Sequence, residues 1–221
     1  MSILPKNMPE ALSLIDKAEK AQANLIEVRL DCLETSRKLS DLVKSTKIPL
    51  IATNKLLSEK GYFSGNQTER QQTLLNAAKN NFEYVDVDLS SPKNKETIGK
   101  LKLLGAKPIV SYHKFDGALS VSEMEKVLEQ EIASGASVCK IITTAKQIQD
   151  NLTALNFVSA MSSKAKLVCF CMGEYGKVSR LLSPMFGAFF TFASLEQGSE
   201  TAAGQMSIQE MKTAYKLLEQ K

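Results

Sequence analysis

Pro108-Ile109-Val110-Ser111-Tyr112-His113, then the segment Val121–Ala133, then Ser137-Val138-Cys139-Lys140-Ile141-Ile142, is the stretch that decides the fold class. The two outer runs are short, apolar and β-branched, as strands are. The middle segment places Met124, Val127, Leu128 and Ile132 at helical spacing, and Ser120 stands three residues before Glu123, the spacing of a capping box. Strand, helix, strand in this order is a crossover unit, and parallel pairing requires crossovers.

The same alternation continues in both directions. Candidate strands are Ser2–Leu4, Leu25–Leu30, Pro49–Thr53, Tyr84–Leu89, Pro108–Tyr112, Val138–Thr143, Lys166–Cys171 and Ala188–Ala193. Helical spacing marks Pro9–Ala21, with Leu12, Ile15 and Ala18 on one face, and a last helix over Met206–Leu218. Eight parallel units predict an α/β fold closed as a (β/α)8 TIM barrel, although periodicity alone also fits a doubly wound open sheet. The 221 residues suffice for eight units with little to spare, and no Pro/Gly/Ser-rich linker divides them. One domain over residues 1–221 is the expectation, with a first strand that is short and starts almost at Met1.

Hydrophobic residues make up 43% and charged residues 24%, a composition able to bury a sizeable core. No apolar run approaches the roughly 20 residues that span a bilayer. Met1–Pro9 lacks the charged and apolar regions of a signal peptide, so a cytoplasmic location is expected. The net charge of +4 is mild and its lysines and arginines are dispersed, which disfavours nucleic acid and is compatible with an anionic metabolite. Cys32, Cys139, Cys169 and Cys171 match neither a zinc ribbon nor a CxxC pair and read as reduced thiols.

A strand buried on both faces should be almost wholly apolar. Several strands here break that rule. Glu27, Arg29 and Asp31 alternate in the second strand, Asp86 and Asp88 in the fourth, His113 closes the fifth and Lys140 sits inside the sixth. Period-2 geometry puts each alternating set on one face. An ion-pair network that merely joins strands is a poor alternative, because desolvation can exceed the Coulombic gain. In a barrel such groups belong at the C-terminal ends of the strands, where active sites lie. His113, the single histidine, has the side chain suited to proton transfer near neutrality. Lys140, flanked by apolar residues, is expected to be buried and depressed in pKa, a neutral amine able to attack a carbonyl.

The run from Cys171 to Arg180 follows a strand and enters a helix. Gly173 and Gly176 permit close backbone approach there, and Arg180 can pair bidentately with a carboxylate. Ser194–Gln205 is small and polar, suited to a lid. No Walker loop, dinucleotide fingerprint or multi-histidine metal site is present.

Ile26-Glu27-Val28-Arg29-Leu30-Asp31, Val85-Asp86-Val87-Asp88-Leu89, Val110-Ser111-Tyr112-His113, Cys139-Lys140-Ile141, Met172-Gly173 with Ser179-Arg180-Leu181, and Gly204-Gln205 together resemble type I 3-dehydroquinate dehydratases over nearly the whole length. The resemblance implies a (β/α)8 barrel that dehydrates 3-dehydroquinate in the shikimate pathway of aromatic amino acid biosynthesis, as a homodimer without metal or organic cofactor. It implies Lys140 as Schiff-base lysine, His113 as general acid/base and Asp88 as the carboxylate orienting it. Arg180 would hold the substrate carboxylate, Glu27 and Arg29 the ring hydroxyls, Met172 the ring face, and Thr201 and Gln205 the lid side. Three positions depart from the family's pattern. Asp88 stands for the usual Glu, Thr201-Ala202-Ala203-Gly204-Gln205 for Ser-Ala-Pro-Gly-Gln, and Lys114 for Asp after the histidine. A class I aldolase would also use a barrel lysine, but no phosphate cradle follows the seventh or eighth strand. A barrel that only binds a metabolite would show ligand-induced stabilisation without turnover.

Overall fold

In the computed structural model, which describes residues 1–34 and 39–218, seven parallel strands pair in strict chain order. They are β1 (Ser2–Ile3), β2 (Ile26–Arg29), β3 (Leu50–Thr53), β4 (Tyr84–Asp88), β5 (Lys107–His113), β6 (Val138–Thr144) and β7 (Leu167–Met172). Every connection carries a helix: α1 (Met8–Lys20), α2 (Leu39–Lys44), α3 (Gln67–Lys79), α4 (Asn94–Leu103), α5 (Val121–Ala133) and α6 (Asp150–Met161). Two more, α7 (Lys177–Leu182) and α8 (Ile208–Leu218), follow β7. The capping box expected at Ser120 and Glu123 opens α5. The last helix begins at Ile208 rather than Met206, because Ser207 and Glu210 bond reciprocally at its start.

Period-2 alternation sorts the strand residues onto two sides. Outward, Val28, Val85, Val87 and Val110 pack with Ile15, Leu74 and Ile98 from the helices. Cys139, Ile141, Cys169 and Cys171 pack likewise with Met124, Leu128 and Phe157. All four cysteines are free. Inward, Ile51, Tyr84, Ile109, Val138 and Val168 form an apolar plug within the curled sheet. One pleat further along the same strands stand Thr53, Asp86, Ser111, Lys140 and Phe170. The charges therefore lie above the plug, toward the C-terminal ends.

The expected eighth strand, Ala188–Ala193, does not form as a strand. Its backbone meets its neighbours only near its ends, where Phe189 N donates to Leu167 O (2.8 Å) and Ser2 N donates to Ala193 O (3.1 Å). The two-residue β1 offers too little backbone for a continuous ladder on that side. Among the described residues no helix is long and apolar enough to cross a membrane.

One buried group in α5 works against the fold. Glu131 is 0% exposed, and its carboxylate oxygens make no well-formed hydrogen bond, meeting the Lys140 backbone N–H and the Cys139 thiol only loosely. Burial pushes its carboxyl well above the ordinary value of 4.5. A carboxyl raised in the folded state contributes most below its unfolded value, and that contribution is lost as pH rises through the folded value. Glu131→Met is therefore expected to stabilise the protein by about 1–3 kcal/mol, with the larger gain at alkaline pH. Urea unfolding at pH 5 and pH 8 measures it, and equal differences at the two values would refute it.

Candidate active site

A cavity of about 210 Å3 opens over the upper ends of β2, β3, β5, β6 and β7. Arg29, Lys55, Lys60, Lys140 and Arg180 face it, against the carboxylates Glu27 and Glu59. The site is thus set for an anion. Its apolar walls are Phe115, Ile142, Phe170, Met172 and Phe192, and residues 201–203 and Gln205 close one side.

The floor is a row of buried charges of alternating sign. Lys140 Nζ donates to Asp86 Oδ2 at 3.0 Å and lies 4.0 Å from Glu27 Oε1. Lys55 Nζ donates to Asp86 Oδ1 (2.7 Å), to Ser111 Oγ (2.9 Å) and to Asp88. Asp88 also accepts from Arg70. Register explains the order, because Asp88 pairs with Ser111 and Ser111 with Lys140 across β4, β5 and β6. Burial opposes ionisation of Asp86, but the ammonium groups of Lys140 and Lys55 hold it well below the usual carboxylate range. Burial likewise opposes the charge on Lys55, which Asp86 and Asp88 outweigh, raising it. At the far end Glu27 accepts from Thr53 Oγ1 (2.8 Å) and from Ser2.

These contacts correct the expectation of an apolar setting for Lys140. Its chain neighbours are apolar, yet its amine meets two carboxylates and the Phe192 ring, 4.6 Å away. Asp88 also departs from its expected part. Lys55 and Arg70 take up its two oxygens, and it makes no hydrogen bond to His113. The one-carbon-shorter side chain stays with the cations beneath. Glu59 Oε, Asp88 Oδ and a His113 ring nitrogen still lie within 4.8 Å of one another. A cation there would compete with Lys55 and Arg70 for Asp88, so the donor set is poor for a metal. Burial holds His113 well below its ordinary 6.5, with Lys55 and Lys140 adding to the effect, so the imidazole is neutral. Its ring stacks on Phe115 at 5.8 Å, and Lys60 lies over Phe115 at 4.5 Å.

Arg180 is 2% exposed and pairs with no carboxylate among the described residues. Its guanidinium sits 4.4 Å over Phe170, Nε has no partner, and Nη2 reaches Ala203 O at 3.4 Å. Burial lowers it to about 10. Such an uncompensated cation is a ready anchor for an anion. Arg29 instead forms a bidentate pair with Asp31 at 2.9 and 2.6 Å. The 194–205 segment is docked: Gly173 N donates to Ala203 O at 3.0 Å, and Thr201 donates through N (2.7 Å) and Oγ1 (3.2 Å) to Gln205 Oε1. A Cβ on Gly204 would lie 2.1 Å from Gly173 O, so only glycine allows this seat.

Glu27, Arg29, His113, Lys140, Met172, Arg180, Thr201 and Gln205 therefore meet at one cavity, and Asp88 lies beneath it. Lys55, Glu59 and Arg70 escaped the sequence reading. Lys55 stands two residues past β3, where the rule that flagged His113 at a strand end could have found it; Glu59 in a turn and Arg70 in a helix carry no such mark.

Over residues 1–221 the sequence matches the family model described as type I 3-dehydroquinase. The chain belongs to this family. The 3-dehydroquinate dehydratase of Dehalococcoides mccartyi is 36% identical over 210 residues, 95% of this chain and 91% of that protein. That of Methanococcus maripaludis is 32% identical over 219 residues, 98% of each. The solved 3-dehydroquinate dehydratase of Geobacillus kaustophilus shares the fold, with a TM-score of 0.89 at 21% identity over 98% of this chain and 89% of that one. So does a type I enzyme from Clostridium difficile holding covalently modified comenic acid, at TM-score 0.89 and 23% identity, over 98% and 90%.

Proposed function

We propose that this member of the type I 3-dehydroquinases removes water from 3-dehydroquinate to give 3-dehydroshikimate, a step of the shikimate pathway, through an imine on Lys140. The observation that carries the reading is the placement of an amine, a neutral imidazole and an unpaired guanidinium around one cavity. Arg180 anchors the substrate carboxylate. Gln205, whose Oε1 is taken by Thr201, adds its amide NH2, and Thr201 supports the closed lid. Glu27 and Arg29 hold the ring hydroxyls, and Met172 packs on the ring.

His113 takes a proton from the Lys140 ammonium, and the free amine adds to the ketone carbon. The carbinolamine hydroxyl leaves as water, with that proton returned by His113, and an iminium remains. This cation replaces the ammonium at the same spot, so Asp86 and Glu27 face a positive charge before and after. The iminium draws electrons from the adjacent carbon. His113 removes the proton there and delivers it to the departing ring hydroxyl. Water then hydrolyses the conjugated iminium, releasing the enone and Lys140. Asp88 and Glu59, close to the imidazole, favour its transient charge.

The reading takes residues 1–221 as one catalytic domain and 188–193 as the eighth stave of a closed (β/α)8 barrel, supported by its bonds to Leu167 and Ser2. It also takes the enzyme as a cytoplasmic homodimer. Free cysteines suit a reducing compartment, and exposed Val178, Met185 and Phe186 suit a subunit contact.

Incubation with 3-dehydroquinate and borohydride is expected to leave a reduced adduct on the peptide containing Lys140, read by mass spectrometry. A folded protein with verified substrate and no adduct would overturn the imine route.

A further inference from the structure

We propose that Arg70, which lies outside the cavity, is a positioning residue for this reaction: through Asp88 it keeps Lys55 shared between two aspartates and so sets how firmly Asp86 holds the Lys140 ammonium. The inference rests on the imine chemistry proposed above.

Arg70 comes from α3 and is 2% exposed. Its guanidinium is fixed on four sides: Nε donates to Asn54 O at 2.8 Å, Nη1 to Gln67 Oε1 (3.3 Å) and Ser91 Oγ (3.2 Å), and Nη2 to Asp88. A side chain needed only to fill space would not bring a planar charge into the interior. Here the charge divides the labour beneath the cavity. Asp88 is satisfied by two cations, so Lys55 remains free to bond Asp86 and Ser111 as well.

Without Arg70, Asp88 would have Lys55 as its one cation beside the longer bond from Ser111 Oγ (3.3 Å), and would draw the ammonium over. Asp86 would then lose its second cation and bind the Lys140 ammonium more tightly. The charged groups facing the Lys140 amine are Asp86 from β4, Glu27 from β2, Lys55 after β3 and His113 from β5, while Glu131 of α5 lies behind β6 beside the Lys140 backbone N–H. With Lys55 drawn toward Asp88, the charge of Asp86 falls on the Lys140 ammonium alone, whose proton is then harder to pass to His113 in the first step.

The test is kcat, KM and the pH profile of kcat/KM with 3-dehydroquinate for wild type, Arg70→Met, Arg70→Gln and Arg70→Lys, each normalised to the native fraction by near-ultraviolet circular dichroism. Arg70→Met and Arg70→Gln are expected to lower kcat by about 10- to 100-fold, as outer-shell partners do, with KM little changed and the acid limb moved to higher pH. Arg70→Lys, which keeps the charge, should retain most of kcat and the wild-type limb. If Arg70→Met does not fold, the Gln and Lys variants decide, since both keep a hydrogen-bonding group toward Asp88. A native Arg70→Gln with wild-type kcat and profile overturns the proposal, and so do equal losses in Gln and Lys. Absence of turnover in wild type would defeat the functional reading itself, whereas wild-type turnover with unchanged variants defeats this inference alone.

Discussion

Lys140→Met is expected to remove turnover of 3-dehydroquinate by roughly 10⁴- to 10⁶-fold, the scale on which deleting a covalent nucleophile acts. Methionine keeps the unbranched stem and its packing on Phe192, and deletes the amine alone. The fold should survive, because the partners left behind are not orphaned. Asp86 retains Lys55 and Ser111, and Glu27 retains Thr53 and Ser2. Arg180 is untouched, so substrate should still raise the melting temperature of the variant. Steady-state assay and borohydride trapping check the two halves together. A folded Lys140→Met enzyme with near wild-type turnover would sink the covalent route and turn attention to direct proton abstraction by His113.

The placement of that lysine was legible in the sequence for a simple reason. Inward-facing strand positions recur every second residue, so Glu27 with Arg29, and Asp86 with Asp88, identify their own face once a strand is granted. Lys140 and His113 follow from the same rule, since Ser111 and His113 share the face on which Lys140 appears one strand over. What surrounds each charge is a different matter. The partners of Lys140 are set by cross-strand register and by where Lys55 reaches after β3, and neither is written in local periodicity. The apolar setting expected for Lys140 came from its chain neighbours, which point to the other side. Arg70 was hidden for a related reason: on a weakly amphipathic helix a lone arginine reads as solvated, and only tertiary packing turns it toward Asp88. The eighth strand failed in the opposite sense. Its residues have strand propensity, but propensity cannot supply a partner, and β1 is two residues long.

The alternating floor also bears on why so many charges are tolerated. Arg70, Asp88, Lys55, Asp86, Lys140 and Glu27 are all buried, and each has an opposite charge beside it. Removing one member takes a counter-charge from its neighbour, a cost that is small where other donors remain, as Lys55 and Ser111 do at Asp86, and larger where they do not. A reaction that replaces an ammonium with an iminium leaves this balance intact, and the one positive charge only shuttles between the Lys140 nitrogen and the His113 ring as protons move. Arg180 is the exception, buried without a counter-charge. A substrate carboxylate would supply it.

His113→Gln is expected to separate imine formation from elimination. Glutamine approximates the size of the imidazole and can hydrogen-bond, but it cannot accept a proton near neutrality. Turnover should fall by about 10²- to 10⁴-fold, the usual worth of a general acid/base. The borohydride adduct on Lys140 should still form, more slowly, because water can stand in for the proton transfers of imine formation but not for the aligned elimination. It should carry the mass of the reduced substrate imine with the hydroxyl that wild type eliminates. The pH dependence gives a second check. His113 is depressed below 6.5 in the folded state, so in wild type its base form persists into mildly acidic solution. The unfolded chain, by contrast, takes up a proton there. The sign is that of any group depressed by folding: its contribution is present above the unfolded value and is lost as pH falls through the folded one. Stability of wild type should therefore decline below about pH 6.5 more steeply than that of His113→Gln, measured by urea unfolding at pH 5.5 and pH 7.5. Full turnover in the variant would remove His113 from the chemistry. An adduct lost together with turnover, in a folded protein, would instead place its essential step before the iminium, at the transfer of the Lys140 proton.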